Sequence, residues 1–257
     1  MNSSPVITLT TDFGTRDPYV PAMKGVILNI NPDVTIVDIS HDIEPQNTYE
    51  AAYILDRARR YFPDGTTHIV VVDPGVGTGR NALAVKVGRA FFIAPDNGVL
   101  TYVVEKPFEA VSITNPQFWN HPVSSTFHGR DIFAPVAAHL SLRIPISEFG
   151  EPVTSLLTLP RTKPCSEADG SLVGHVIHID RFGNAITDIS RDDIPENPVI
   201  HIKNHSIEGL SSSYAEGNEL LALIGSDGKL EIAVKNGNAA ESLNLRLGDE
   251  IIVRRNP

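Results

Sequence analysis

Cysteine is nearly absent: one residue, Cys165, in 257. A lone thiol excludes an internal disulfide framework and any zinc cluster built on cysteines. An excess of base is also missing. The 21 Lys and Arg stand against 31 Asp and Glu, a formal charge of −10 and a pI near 5.3. Nucleic-acid and anionic-membrane binders rest on basic surface, so neither partner is expected. No apolar run reaches the roughly 18–20 residues that span a bilayer. The opening MNSSPVITLTTDFG has no basic stretch followed by an apolar core, so it does not read as a signal peptide. What is present, 41 % hydrophobic and 20 % charged residues, lies in the globular range. The length suffices for a full core, in one large domain or two smaller ones. A soluble, intracellular, cytoplasmic protein is expected.

The first part of the chain alternates between two periods. A β-branched run at 6–10 closes at Asp12-Phe13-Gly14 and reads as a buried strand ending in a turn. Asp17 and Pro18 supply an N-cap and a first-turn proline, and Val20, Met23, Ile27 and Ile30 follow at helical spacing until Asn31-Pro32. A second strand is expected at 35–39, a second helix at 47–62 and a doubly buried third strand at 68–72. Strand–helix–strand–helix–strand predicts a parallel sheet with right-handed crossovers. A hairpin follows at 83–87 and 90–94, then a helix from Asn97-Gly98, a strand at 110–113 and a helix at 131–142. Residues 150–170, with Pro152, Pro160 and Pro164, read as a linker. Beyond them, short alternating segments at 174–180, 198–203, 220–224, 230–234 and 250–254 give an all-β pattern, a small barrel or sandwich. The expected fold class is thus α/β: an N-terminal α/β domain (1–160) with a largely parallel central sheet, plus a small, barrel-like all-β C-terminal domain (161–257).

In open α/β sheets, ligands sit beyond the carboxyl ends of the strands. Asp12 and Asp73 lie at such ends, although Asp there also serves simply to start a turn. The segment Asp73-Pro74-Gly75-Val76-Gly77-Thr78-Gly79-Arg80 offers backbone N–H groups for an anion. It lacks the Gly-Lys-Ser/Thr ending of a P-loop and the spacing of a dinucleotide fingerprint. Arg80 can fold back onto Asp73. His128, beside Gly129 at a helix entrance, is the leading candidate among nine histidines. Asp73, His128 and Asp131 are not spaced as metal ligands, and His175 and His178 fall on opposite faces of a strand, so no metal is expected. Asp180-Arg181-Phe182-Gly183-Asn184 combines a cation partner, a stacking face and an amide for a base edge, or is only a hairpin turn. The segments around Ser226 and Ala239 read first as turns.

Six stretches in order, ITLTTDFG, DPGVGTGR, APDNGVL, STFHGRDIFAP, DRFGNAITDI and GSDGKLEIAVKNGNAAESL, resemble the S-adenosyl-L-methionine hydroxide adenosyltransferases, hydrolases related to fluorinase and chlorinase. The resemblance covers essentially the whole chain. It implies hydrolysis of S-adenosyl-L-methionine to adenosine and L-methionine, with no cofactor. It also implies a homotrimer whose sites lie between the N-terminal domain of one subunit and the C-terminal domain of the next. By motif, the catalytic set is Asp73, Arg80 and His128. Asp12 is implied to hold the ribose hydroxyls, Asp180 the methionine ammonium, and Phe182 and Asn184 the adenine. Ser226 is implied near the methionine carboxylate, with Glu231, Val234 and Ala239 at the adenosine end.

The chemistry agrees with a hydrolase. A sulfonium is already a good leaving group, while water, with a bulk pKa of about 15.7, is a poor nucleophile. A site must orient one water in line with the C–S bond and take its proton, and an acid–arginine–histidine set does both. A halide pocket instead needs neutral donors and apolar walls. By the same resemblance, halogenases carry Tyr at the Asp73 position, Ser at the Gly129 position and an aromatic residue where this chain has Gln46. A carboxylate beside a halide costs on the order of several kcal/mol in a poorly screened cavity. Two alternatives stand beside the hydrolase: a halogenase forming 5′-halo-adenosine, and a non-catalytic adenosine or S-adenosyl-L-methionine binder.

Overall fold

β1 (Val6–Thr11) lies one strand in from the edge of the first unit's sheet, paired in parallel with β2 (Thr35–Ser40) on one side and β3 (Thr67–Val71) on the other. The computed structural model describes residues 4–216 and 219–256, and the chain divides into two units at Leu159 and Pro160. In the first, α1 (Tyr19–Ile30) and α2 (Thr48–Arg59) make the crossovers. β3 also pairs in parallel with β5 (Ala90–Pro95). The sheet then turns antiparallel through β4 (Ala82–Val87), β6 (Phe108–Ile113) and β7 (Gly150–Pro152). The strand order is β2-β1-β3-β5-β4-β6-β7.

Successive residues of β3, and Val72 just after it, feed opposite cores. Ile69 and Val71 pack with Met23, Ile27 and Phe133 beneath α1 and α3 (Ala134–Ser141), while Val70 and Val72 pack with Leu55, Val85 and Phe92 beneath α2. Each fully buried Ile or Val contributes roughly 1.5–3 kcal/mol, which is why this strand shows no polar alternation. Asn47 caps α2, its Oδ1 accepting from Glu50 N–H at 3.1 Å. α1 departs from expectation: Pro18, not Asp17, holds the N-cap position, with no side-chain cap.

Three further expectations are corrected. Residues 97–103 form successive turns rather than a helix, because Gly98 takes φ +91° and packs where a Cβ would lie 2.7 Å from Leu159 Cγ. The helix expected from 131 opens earlier, with a wide π-type turn at Gly129–Phe133. The linker is shorter than 150–170, since β7 extends the sheet and Val153 and Leu156 pack on the core. Leu157 N–H and Leu159 N–H donate to Asp96 Oδ1 and Thr101 Oγ1 at 2.8 and 2.7 Å.

The second unit is antiparallel throughout: β12-β11-β15-β9-β10-β14-β13, with β8 (Cys165–Ser166) added to β9. These are β9 (Leu172–Ile179), β10 (Ala185–Ser190), β11 (Pro198–Ile202), β12 (His205–Glu208), β13 (Leu220–Ile224), β14 (Lys229–Val234) and β15 (Glu250–Arg255). A short α4 (Ala239–Ser242) precedes β15. The terminal strands approach one another, and Ser211 N–H donates to Ala222 O at 2.8 Å, so the sheet nearly closes into a barrel. Its core is Val176, Ile189, Ile200, Ile232, Ile251 and Val253.

Candidate active site

The carboxyl ends of β1 and β3 place Asp12 and Asp73 on the rim of one cleft of about 410 Å³, which His128 also lines. Arg80 folds back across the glycine loop onto Asp73. Its Nε lies 2.9 and 3.0 Å from the two carboxylate oxygens, and Nη2 also donates to Oδ2. The same Nη2 stands 3.0 Å from His128 Nδ1. Asp73, Arg80 and His128 therefore form one connected group, with the Arg80 guanidinium 5.3 Å above the Phe133 ring. The Asp73 and Arg80 side chains are only 5 % and 11 % exposed, which strengthens their pairing relative to a surface ion pair.

Arginine only donates, so Nδ1 of His128 accepts. The ring is then neutral with its proton on Nε2. Its pKa points the same way: burial pushes it below the usual histidine range and the Arg80 charge adds to that, while Asp73 and Asp131 pull back without restoring it. Asp131 takes no direct part in the group. Wholly buried, it accepts from Ser124 N–H at 2.8 Å and from Arg130 Nε and Nη2 at 2.6 and 2.9 Å. Burial opposes its ionisation, but the Arg130 and Ser124 bonds hold its pKa below the ordinary carboxylate value. It thereby pins the segment that carries His128.

Opposite this group, Asp12 Oδ2 accepts from Gln46 N–H at 2.8 Å. Phe13, Tyr19 and Phe127 form an aromatic trio on the cleft wall, with ring centroids 5.2–5.9 Å apart. Sequence patterning does not single out this trio. Phe13 and Phe127 adjoin Asp12 and His128 in the chain and could have been found that way, whereas Tyr19 carries no local signal.

The second unit has its own cleft, about 670 Å³, lined by Asp180, Phe182, Asn184, Tyr214 and Val234 among others. Asp180 organises its turn: Oδ1 accepts from Phe182 N–H and Asn184 N–H, both at 2.9 Å, and Oδ2 from Asn184 Nδ2 at 3.0 Å. Gly183 (φ +84°) lies so close to Asn238 that a Cβ would overlap its amide, so the turn docks on the loop before α4. The Phe182 ring is left 76 % exposed. Glu231 is buried and takes a short hydrogen bond from Tyr214 OH. Burial, with Asp180 and Asp227 adding, raises its pKa despite that bond, and burial beside Glu231 raises that of Tyr214. Tyr214 is a lining residue that sequence patterning misses. Ser226 lies in the exposed turn before β14, and Ala239 is buried at the start of α4; neither is among the residues lining the cleft.

The structure thus brings Asp12, Asp73, Arg80 and His128 together in one unit, and Asp180, Phe182, Asn184 and Val234 in the other, with Glu231 reached through Tyr214. Among the described residues, no group of three or more His, Cys, Asp or Glu is placed to hold a metal ion.

Residues 7–150 match the family model described as the SAM hydroxide adenosyltransferase N-terminal domain, and residues 174–252 match that of the C-terminal domain. A protein of Methanocaldococcus jannaschii named (R)-S-adenosyl-L-methionine hydrolase is 39 % identical, over 96 % of this chain and 94 % of its own. One of the same name from Thermus thermophilus is also 39 % identical, over 93 % and 95 %. A fluorinase of Nocardia brasiliensis is 30 % identical over 97 % of both chains. Among solved structures, an uncharacterised conserved protein of Thermotoga maritima superposes with a TM-score of 0.89 at 38 % identity, covering 97 % of this chain and all of that one.

Proposed function

Because the chain belongs to the SAM hydroxide adenosyltransferase family, we propose that it hydrolyses S-adenosyl-L-methionine to adenosine and L-methionine, with Asp73, Arg80 and His128 as its catalytic residues. One observation carries the assignment of roles: a single arginine bridges the Asp73 carboxylate and the His128 imidazole in a largely buried cleft.

A water held against this group donates to Asp73 and accepts from His128 Nε2–H, which leaves one lone pair aimed along the C5′–S axis. The new O–C5′ bond forms as the C5′–S bond breaks, and its electron pair leaves with the neutral methionine sulfur. The water proton passes to Asp73 and then to solvent. Arg80 stabilises the hydroxide character that develops on the oxygen. Attack with anionic character on a cation annihilates charge, so exclusion of bulk water favours it. The buried Asp73 carboxylate disfavours a halide at the same place through like-charge repulsion.

In this assignment Asp12 holds the ribose hydroxyls, Asp180 the substrate ammonium, and Phe182 and Asn184 the adenine. The two sets of residues belong to different units of the chain, and a homotrimer is the assembly proposed to bring one subunit's set to the next subunit's. No helix among the described residues is long and apolar enough to cross a membrane; a permanently charged substrate of this kind is met in the cytoplasm, where the enzyme is proposed to act.

Incubation with S-adenosyl-L-methionine in ¹⁸O-water tests the proposal. Adenosine carrying one ¹⁸O at O5′, with methionine in equal amount, is expected. Unlabelled adenosine overturns the mechanism, and tight binding without turnover turns the protein into a binder.

A further inference from the structure

Apart from the groups already assigned, the first unit holds a buried polar chain that the reaction does not use. His41, in the loop after β2, is 7 % exposed. Its Nδ1 lies 2.8 Å from Oγ1 of Thr11, a wholly buried residue at the end of β1. Its Nε2 lies 3.1 Å from Asp38 Oδ1, close but out of line for a full hydrogen bond. The other Asp38 oxygen accepts from Lys24 Nζ on α1 at 2.6 Å. Despite partial burial, the Lys24 and His41 contacts keep Asp38 ionised.

One proton arrangement suits these groups, with Nε2 left in a charge contact to Asp38 rather than a full hydrogen bond. Phe13 N–H donates to Thr11 Oγ1 at 3.3 Å, the Thr11 hydroxyl donates to Nδ1, and the remaining ring proton on Nε2 faces the Asp38 carboxylate. The His41 loop also holds the Asp12 turn at two other points. Gly14 N–H donates to the His41 carbonyl at 2.8 Å, and Gln46, held at φ +67°, donates its N–H to Asp12 Oδ2 at 2.8 Å. A group that merely filled space here would be apolar, since burying a polar ring without directed partners costs roughly 1–3 kcal/mol. Instead the imidazole fixes the distance between β1 and the β2 exit, the two segments that together aim Asp12.

We propose that His41 is a positioning residue: through Thr11 and the Phe13–Gly14 turn, it sets the direction in which Asp12 meets the ribose diol of the substrate. This rests on the assignment of Asp12 to the ribose hydroxyls.

Steady-state kinetics with S-adenosyl-L-methionine and with its 2′,3′-dideoxy analogue test the proposal. The wild-type enzyme should favour the natural substrate in KM, and Asp12→Ala should erase that preference. His41→Ala and Thr11→Val should raise KM for the natural substrate about tenfold or more, the scale of one lost charge-assisted hydrogen bond. KM for the analogue and kcat should stay within about threefold. His41→Asn, whose Oδ1 can take the Thr11 hydroxyl, should recover most of the loss. Equal losses on both substrates, or none, would show that His41 only packs, and overturn the proposal with Asp12 still assigned. Ribose preference surviving in Asp12→Ala overturns the Asp12 assignment and this proposal with it. If His41→Ala does not fold, Thr11→Val, which keeps shape and burial, carries the same test.

Discussion

A Cβ placed on Gly77 would lie 2.3 Å from the carbonyl oxygen of Ser125. The glycine loop that ends in Arg80 and the segment that leads into His128 are therefore in backbone contact, and only a residue without a side chain allows it. Gly77 also sits at φ +76°, where other residues are strained. Gly77→Ala should push the two segments apart and separate Arg80 from His128. The expected outcome is a fall of at least tenfold in single-turnover rate with a lower Tm, since backbone strain of about 1–2 kcal/mol adds to the displacement of the Ser125 carbonyl. A variant with normal turnover would show that the contact does not set the catalytic geometry.

Asp73→Asn should separate chemistry from binding. The amide keeps the shape but neither accepts the water proton nor balances Arg80. Loss of a general base lowers rates by roughly 10²–10⁴, while the dissociation constant for S-adenosyl-L-methionine should stay within a few-fold. Calorimetry and single-turnover kinetics check the pair of values. Weak binding with normal turnover of bound substrate would make Asp73 a substrate-holding residue instead.

Asp180 organises its turn and is proposed to meet the substrate ammonium, and Asp180→Asn can divide the two roles. Its Oδ1 organises the turn through Phe182 N–H and Asn184 N–H, which an amide oxygen can still do. The amide nitrogen cannot accept the Asn184 Nδ2 bond that Oδ2 now takes, and the charge proposed to face the substrate ammonium is lost, worth roughly 1.5–3 kcal/mol or about tenfold to a hundredfold in affinity. Asp180→Ala should weaken binding further, because the turn loosens as well. Equal affinities for wild type and Asp180→Asn would remove the ammonium contact from the scheme.

His68 predicts an acid limb in stability. It is buried in β3, stacked on Phe92 at 5.2 Å and bonded through Nδ1 to Thr8 Oγ1 at 2.8 Å. Burial, then the charge of Arg59, pushes its pKa down to about 4. The unfolded chain, with a pKa near 6.5, takes up the proton first, so protonation favours unfolding. This contribution is intact above about pH 6.5 and is lost as pH falls toward about 4, a total on the order of 3 kcal/mol. Urea unfolding at a series of pH values should show that slope in the wild type and its reduction in His68→Gln. Identical slopes in the two proteins would exclude His68 as the source.

Local patterning is legible where neighbours in sequence are neighbours in space. The β-branched runs of β1 and β3, the turn residues after them and the helical spacing of Val20, Met23 and Ile27 mark the parallel half of the first sheet, and ordered motifs mark the clusters around Asp73 and Asp180. β10 is missed because Thr187 and Asp188 are buried inside it, which hides the strand behind polar letters. The helix expected at Asn97 fails for the opposite reason: its pattern is adequate, but Gly98 packs against Leu159, 61 residues away in sequence. The aromatic trio of Phe13, Tyr19 and Phe127, like the His41 chain, exists only once β1, β2 and the 124–128 segment meet. Pairwise contacts at such separations leave no period in one sequence.

Asp73, Arg80 and neutral His128 sum to zero formal charge. Each turnover of the proposed reaction consumes a sulfonium cation and leaves a proton on this group, so the group becomes positive at the moment the products are neutral at sulfur. The next substrate arrives as a cation and meets that charge in a cleft with little water to screen it. The enzyme must therefore discharge its proton to bulk before it can reload, and the order of events after bond cleavage is set by where that proton goes rather than by which product leaves first.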